Sequence, residues 1–264
     1  MVEKPTLEYV NELAAEAAAI VQGFVGEDLN IQHKGRTDLV TRADHASEEY
    51  LISRIREDFP DHAINAEEAG KLAGTPAHQW YIDPLDGTLN YAHGLPFYSI
   101  SIGYAYQGKM ELGVVYDPTR KECFSAQNGK GASLNGNPIH VSQNKDLIDC
   151  LLATGFPKNI WGSPSDNTAN FVQFSKITQS VRRLGSAALD VVSVAAGRVD
   201  GFWEMTVNQW DIAAGGLIVR EAGGIVTNIF GEPGFLNEPV SIIAANPVIH
   251  SKMLEVVKEV RGEK

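Results

Sequence analysis

The order in which strand and helix patterns follow one another changes partway along this chain, and few folds accommodate both halves. Over residues 97–106 Tyr98, Ile100, Ile102 and Tyr104 alternate with Ser99, Ser101 and Gly103, the period-two pattern of a strand. Residues 112–116 and 122–126 continue it as an antiparallel meander, with turns at Gln107-Gly108 and Asp117-Pro118. Ahead of the meander, Leu7, Val10, Leu13, Ala17, Ile20 and Phe24 recur at helical spacing up to about Gly26. A polar loop over 32–36 and a short strand over 38–41 lead to a second predicted helix over 44–59, stopped by Pro60. Residues 62–65 and 80–83 read as strands.

Past the polar stretch 142–146 the order becomes strand, helix, strand. Strands are predicted at 150–154, 181–184, 199–204, 224–227 and 240–245, and helices at 165–178, 186–196, 210–222 and 247–260. The first pattern is that of an α+β lobe and the second that of an α/β lobe. We therefore expect one lobe over 1–143 and a second over 144–264, a length that allows two joined cores.

The stretch with the most chemical content is Trp80-Tyr81-Ile82-Asp83-Pro84-Leu85-Asp86-Gly87-Thr88-Leu89-Asn90. An apolar strand ends on two carboxylates separated by a proline-stiffened elbow. The Gly-Thr step after them leaves backbone N–H groups at the start of a short helical turn, where an anion can bind. Carboxylates for a hard cation beside amides for a phosphate point to metal-assisted phosphate chemistry. A plain surface turn uses the same residue types.

Charge and cysteine content narrow the classes further. Asp and Glu outnumber Lys and Arg, 33 to 22, for a formal net charge of −11. That balance argues against nucleic acid or an anionic membrane as a partner. A phosphate ester would be repelled as well, unless bound divalent cations reverse the sign locally. Cys123 and Cys150 make neither a disulfide framework nor a CxxC knuckle, so a reducing cytoplasm is expected. Glu3, Glu8, Glu12 and Glu16 interrupt any secretory apolar stretch, and no uncharged run is long enough to span a bilayer. The seven scattered histidines disfavour zinc and leave oxygen-ligated magnesium or manganese.

Acidic residues lie at the edges of predicted elements in four places: Asp44, Glu67-Glu68, Asp83 with Asp86, and Asp211. Asp44 and Asp211 could serve only as helix-start acids, and Glu67-Glu68 only as a solvated face. Spacing alone does not bring the four places together in space.

Read as a set, the chain resembles the inositol monophosphatase family, which are magnesium-dependent, lithium-sensitive phosphatases. The residues that carry the resemblance are Asp38-Leu39-Val40-Thr41 with Asp44, Glu67-Glu68, the 83–90 run, and Trp210-Asp211-Ile212-Ala213-Ala214-Gly215. It extends from about Leu7 to Val260, with Ala66 where the family often has Gly and Ser186 where Thr is common. The resemblance implies a layered α-β-α-β-α sandwich of the sugar-phosphatase type, usually a homodimer. It implies that Glu67, Asp83 and the Leu85 carbonyl hold one magnesium, with manganese as the alternative ion. Asp83, Asp86 and Asp211 would hold a second, and a weaker third would share Glu67.

Thr88, placed by Asp44, would orient the attacking water. Gly87 and Thr88 would hold the phosphate through their amides. Gly185, Ser186, Ala187 and Glu204 would recognise a small polyol phosphate such as inositol 1-phosphate. Glu68 and Lys34 are further candidates, Lys34 closing over the phosphate. Fructose-1,6-bisphosphatase (alone or as a dual activity), histidinol-phosphatase and 3′(2′),5′-bisphosphate nucleotidase activities share such a cradle. A non-catalytic regulatory protein on the same scaffold is the alternative of a different class. Acids crowded this closely also imply that magnesium stabilises the fold.

Overall fold

The computed structural model describes residues 4–158, 160 and 166–262. Helix α1 (Leu7–Gly23) starts where the Thr6 hydroxyl accepts from the Tyr9 amide, and it buries Val10, Leu13, Ala14, Ala17, Ala18 and Val21. Phe24 caps it, so the helix ends at Gly23, three residues short of the expected Gly26. The segment expected to be a polar loop contributes instead to a small hairpin, β1 (Gln32–His33) against β2 (Leu39–Val40). Helix α2 (Arg42–Asp58) follows. Then come β3 (His62–Ala66), β4 (Gly70–Leu72), β5 (Thr75–Asp86), the single-turn α3 (Thr88–Ala92), β6 (Ser99–Tyr106), β7 (Lys109–Asp117), β8 (Glu122–Gln127), β9 (Ala132–Leu134) and β10 (Asn137–Pro138).

Eight of these strands form one sheet in the order β10-β9-β8-β7-β6-β5-β3-β4. All neighbours run antiparallel except β3 and β5. Strand β5 begins five residues earlier than the sequence pattern predicts. Its polar first part is recruited by pairing with β3 and β6 on both sides, a case of neighbours overriding composition.

The rest of the chain alternates as expected: β11 (Leu151–Thr154), α4 (Thr168–Ile177), β12 (Ser180–Arg182), α5 (Ala187–Ala195), β13 (Gly201–Glu204), α6 (Gln209–Glu221), β14 (Ile225–Thr227), β15 (Ile242–Ala245) and α7 (Pro247–Val260). Ser165, expected to open α4, lies outside the described residues. The second sheet, β12-β11-β13-β15-β14, is mixed. β11 runs parallel to β12 and β13, whereas β15 is antiparallel to β13 and β14.

Helices α1 and α2 cover the outer face of the first sheet, α5 and α6 fill the space between the sheets, and α4 and α7 cover the second sheet. This is an α-β-α-β-α sandwich, with the main core where α5 and α6 meet both sheets. The inner face of the first sheet is the small-residue face of β6. Gly103 pairs with Gly113 across β6 and β7, and a Cβ on Gly113 would stand 2.7 Å from the Ala214 carbonyl oxygen. Glycine at both positions lets α6 lie against the sheet backbone. That close approach brings the start of α6 to the end of β5.

Candidate active site

The elbow after β5 is built on a bulge. Asp83 pairs with Ser101 and Asp86 with Ser99, so two residues on β5 oppose one on β6. In a regular strand residues three apart point to opposite faces. The extra residue restores the phase, so both carboxylates leave on the inner face that Ser99 and Ser101 share. Asp83 Oδ1 accepts from the Leu85 amide at 3.0 Å, and Ser47 Oγ on α2 donates to the Pro84 carbonyl at 2.8 Å. Gly87 then turns the chain at φ 92°, and a Cβ there would stand 3.1 Å from the Phe97 carbonyl. This conformation and this crowding both require glycine. Asn90 fixes the far side, donating to the carbonyls of Phe97 and Leu184 at 2.8 Å each.

Three helix starts aim their first turns at this elbow. On α2, Asp44 Oδ2 accepts from the Thr41 amide (2.8 Å) and hydroxyl (2.6 Å), which leaves Oδ1 to accept from Thr88 Oγ1 at 2.8 Å. Thr88 Oγ1 also lies 3.0 Å from the Leu85 carbonyl. On α6, Asp211 Oδ2 accepts from the Asn208 amide at 2.9 Å and side chain at 3.2 Å. Ser101 Oγ, donating to the Trp210 carbonyl at 3.1 Å, pins that helix start to β6.

On α5, Asp86 accepts from the Ser186 hydroxyl, from the Ala188 amide at 2.8 Å and from the Ala187 amide at 3.3 Å. Here the geometry differs from expectation. The Ser186 hydroxyl and Ala187 amide face Asp86, not an open polyol pocket, because a carboxylate at a helix N-terminus satisfies amides that would otherwise lack partners.

Glu67 and Glu68 follow β3. Glu48 on α2 holds their turn, its carboxylate accepting from the amides of Glu68 (2.9 Å) and Ala69 (2.8 Å). Two ammonium groups meet Glu67 Oε1: Lys34 Nζ at 3.2 Å and Lys158 Nζ at 3.3 Å. Lys34 also pairs with Glu68 at 2.5 Å, and Lys158 with Asp38 at 2.7 Å. Burial works against the charge on both lysines, but the surrounding carboxylates outweigh it and hold both ammonium groups above their ordinary range.

These elements enclose a cleft of about 890 Å³, lined by Glu67, Asp83, Leu85, Asp86, Gly87, Thr88, Gly185, Ser186, Ala187, Glu204 and Asp211. Asp44, Glu68 and Lys34 stand behind that lining. At the end of the cleft formed by the second sheet, Glu204 closes β13 directly over Gly155, where a Cβ would come within 2.3 Å of the carboxylate. Lys158, Arg183 and Asp190 also line the cleft, and with Glu48 they are the residues that sequence reasoning missed. Glu48 lies one helical turn after Asp44, a spacing that could have flagged it; the others carry no sequence signal. Asp190 Oδ1 is buried without a partner, and nothing in the structure explains it.

The electrostatics are those of crowded, buried acids. Burial, then the charges of Glu67, Asp86 and Asp211, push Asp83 well up from the usual carboxylate range. Burial raises Asp86 to about 6 against the opposing hydrogen bonds of Ser186 and Ala188. Burial, then Asp86 and Glu67, raise Asp211 to about 7. Asp44 rises to about 6, chiefly through burial. Glu204 and Asp190 are pushed well up by burial and by neighbouring acids, with Arg183 opposing in each case.

Among the described residues, no three His, Cys, Asp or Glu groups already stand as a ready coordination shell. Their oxygens are turned to helix amides and lysines instead. The donor set still fits a hard cation. It consists of buried carboxylates that repel one another, with ammonium groups drawn onto Glu67 as the available positive charge.

Comparison with known proteins gives a consistent picture. The sequence profile of the inositol monophosphatase family matches residues 3–261. An inositol-1-monophosphatase of Synechocystis sp. is 44% identical over 253 residues, covering 95% of this chain and 88% of that protein. A protein of Pasteurella multocida named Nus factor SuhB is 45% identical over 237 residues, covering 88% and 87%. The structure of the inositol monophosphatase from Anabaena (Nostoc) sp. superposes with a TM-score of 0.87 at 40% identity, covering 96% of this chain and 95% of that one.

Proposed function

This chain belongs to the inositol monophosphatase family and is a phosphomonoesterase, and on that premise we propose that it hydrolyses inositol 1-phosphate or a related small polyol phosphate with magnesium. The observation that carries the reading is the single cleft lined by Glu67, Asp83, Asp86, Thr88 and Asp211, behind which Asp44 meets Thr88 at 2.8 Å.

Glu67, Asp83, Asp86, Asp211 and the Leu85 carbonyl are the groups that would hold magnesium, with manganese able to replace it. When bound, magnesium supplies Lewis acidity, making water a better nucleophile and offsetting charge on the phosphoryl and leaving oxygens. The Thr88 hydroxyl, donating its own proton to Asp44, turns a lone pair toward the cleft and there accepts from the attacking water. As water attacks phosphorus, its proton passes to Thr88 Oγ1 and the Thr88 proton passes to Asp44, whose raised affinity for protons suits it to receive one. The amides of Gly87 and Thr88 hold phosphate oxygens. Glu204 accepts from a polyol hydroxyl. Gly185, Ser186 and Ala187 wall the same end, where the Ser186 hydroxyl and the Ala187 amide hold Asp86 in place. Lys34 and Glu68 border the phosphate side.

Phosphate release measured across inositol 1-phosphate, fructose 1,6-bisphosphate, histidinol phosphate and adenosine 3′,5′-bisphosphate tests the substrate. The highest kcat/KM is expected for inositol 1-phosphate, and a preference for adenosine bisphosphate would overturn the polyol reading. If Asp83→Asn released phosphate at the wild-type rate in saturating magnesium, the metal reading would be wrong. A second reading, a regulatory role on this scaffold, is favoured by the relative named a Nus factor. Failure to release phosphate from any of these esters would favour it.

A further inference from the structure

We infer that Lys158 is an internal counter-ion of the acidic cleft, which a divalent cation must displace, so that this lysine sets how tightly the site takes its ion. The inference rests on the metal reading proposed above and concerns the regulation of that same site.

Lys34 and Lys158 approach Glu67 from segments far apart in sequence. Lys34 sits in the turn of the β1–β2 hairpin and Lys158 in the segment after β11, yet both reach Oε1, at 3.2 and 3.3 Å. The Glu67 side chain is only 10% exposed, whereas that of Lys158 is 54% exposed. The carboxylate is therefore fixed inside the cleft, and the ammonium group reaches in from the solvent side. Its backbone is fastened as well, because Thr37 Oγ1 donates to the Lys158 carbonyl at 3.0 Å.

Charge explains why the lysine is drawn there. Glu67, Asp83, Asp86 and Asp211 act on one another through space, and Lys158 offsets part of the field at Asp211. A cation that takes Glu67 must first break the contact with Lys158, and that cost lowers its apparent affinity. The two lysines differ in what remains to them afterwards. Lys34 keeps Glu68, with which it is already paired, and stays in the wall. Among the described residues Lys158 keeps Asp38, and its side chain, 54% exposed against 28% for Lys34, has the more open path to solvent. Of the two, Lys158 is thus the displaceable charge.

The test is the dissociation constant for Mn²⁺ alone, without substrate, read by electron paramagnetic resonance of the free ion. Wild type is compared with Lys158→Gln, Lys158→Arg and, as a charge control, Lys176→Gln on the exposed side of α4. Two charges on the cation at a few ångströms from one ammonium, in a cleft partly open to solvent, correspond to about fivefold. Lys158→Gln is therefore expected to bind Mn²⁺ about fivefold more tightly, with Lys158→Arg and Lys176→Gln within about twofold of wild type. Equal or weaker binding by Lys158→Gln overturns the inference. Equal tightening by Lys176→Gln also overturns it, since net charge alone would then suffice. A wild type that binds no Mn²⁺ refutes the metal reading itself and this inference with it, whereas a wild type that binds and a Lys158→Gln variant that binds no better refutes this inference alone.

Discussion

Helices α2 and α6 begin in the same way and are put to different uses. Each opens with a capping box, Thr41 with Asp44 and Asn208 with Asp211, in which one carboxylate oxygen accepts from the cap residue's own amide. At α2 the second oxygen meets a neutral hydroxyl, that of Thr88. At α6 the carboxylate stands within the field of Asp86 and Glu67 and is raised to about 7, against about 6 for Asp44. Capping and catalysis are not competing explanations for such an acid. The cap fixes the rotamer with one oxygen and so aims the other, a rigid placement that a surface aspartate would lack.

The largest effect should separate the two starts by turnover. Asp211→Asn keeps the cap geometry but removes a charge from the cation site, and kcat/KM is expected to fall about a thousandfold, the scale of lost metal stabilisation. Asp44→Asn keeps its cap too but removes the proton acceptor, and kcat is expected to fall about a hundredfold with KM little changed. Equal losses in both parameters for both variants would erase the distinction. Thr88→Val should match Asp44→Asn, and Thr88→Ser should restore most of the rate.

Acidity sharpens the comparison next. With Asp44 at about 6, kcat in saturating magnesium should fall as pH drops through that value, and in Asp44→Asn the step should vanish. Stability without divalent ions should run the other way. Asp44, Asp86 and Asp211 hold protons more tightly folded than unfolded, so the folded state gains from low pH. That gain is complete below about 4, the unfolded value, and is lost as pH rises through about 6 to 7. The ion-free melting temperature should therefore be lower at pH 8 than at pH 6, and millimolar magnesium should close the gap. A magnesium-insensitive melting curve would count against the crowded-acid description.

The smallest effect concerns the caps alone. Thr41→Ala and Asn208→Ala should each cost about 1 kcal/mol of stability by denaturant unfolding. Thr41→Ala should also slow turnover the more of the two, because its hydroxyl holds Asp44 at 2.6 Å, whereas the Asn208 side chain holds Asp211 at 3.2 Å.

Much of this arrangement is legible in the sequence, and the gaps have physical causes. Periodicity locates α1, α2 and α7 because each buries one apolar stripe, whereas α5 and α6, buried on most sides between the sheets, read as apolar runs of helix length. The convergence of Asp83 and Asp86 on one face depends on a bulge opposite Ile100, which local composition does not announce. The fate of the Ser186 hydroxyl depends on where Asp86 lands, a long-range contact. Lys158 and Glu48 matter only through partners many residues away, Glu67 and Asp38 for the one and the amides of Glu68 and Ala69 for the other. Pattern reasoning finds elements and the acids at their edges, but not the contacts that tie one edge to another.

The most direct measurement is a Mn²⁺ binding isotherm for Asp211→Asn beside Asp44→Asn, taken without substrate. Near wild-type affinity is expected for Asp44→Asn, and a loss of at least about tenfold for Asp211→Asn. Undiminished binding by Asp211→Asn would contradict the claim that these distant acids share a cation.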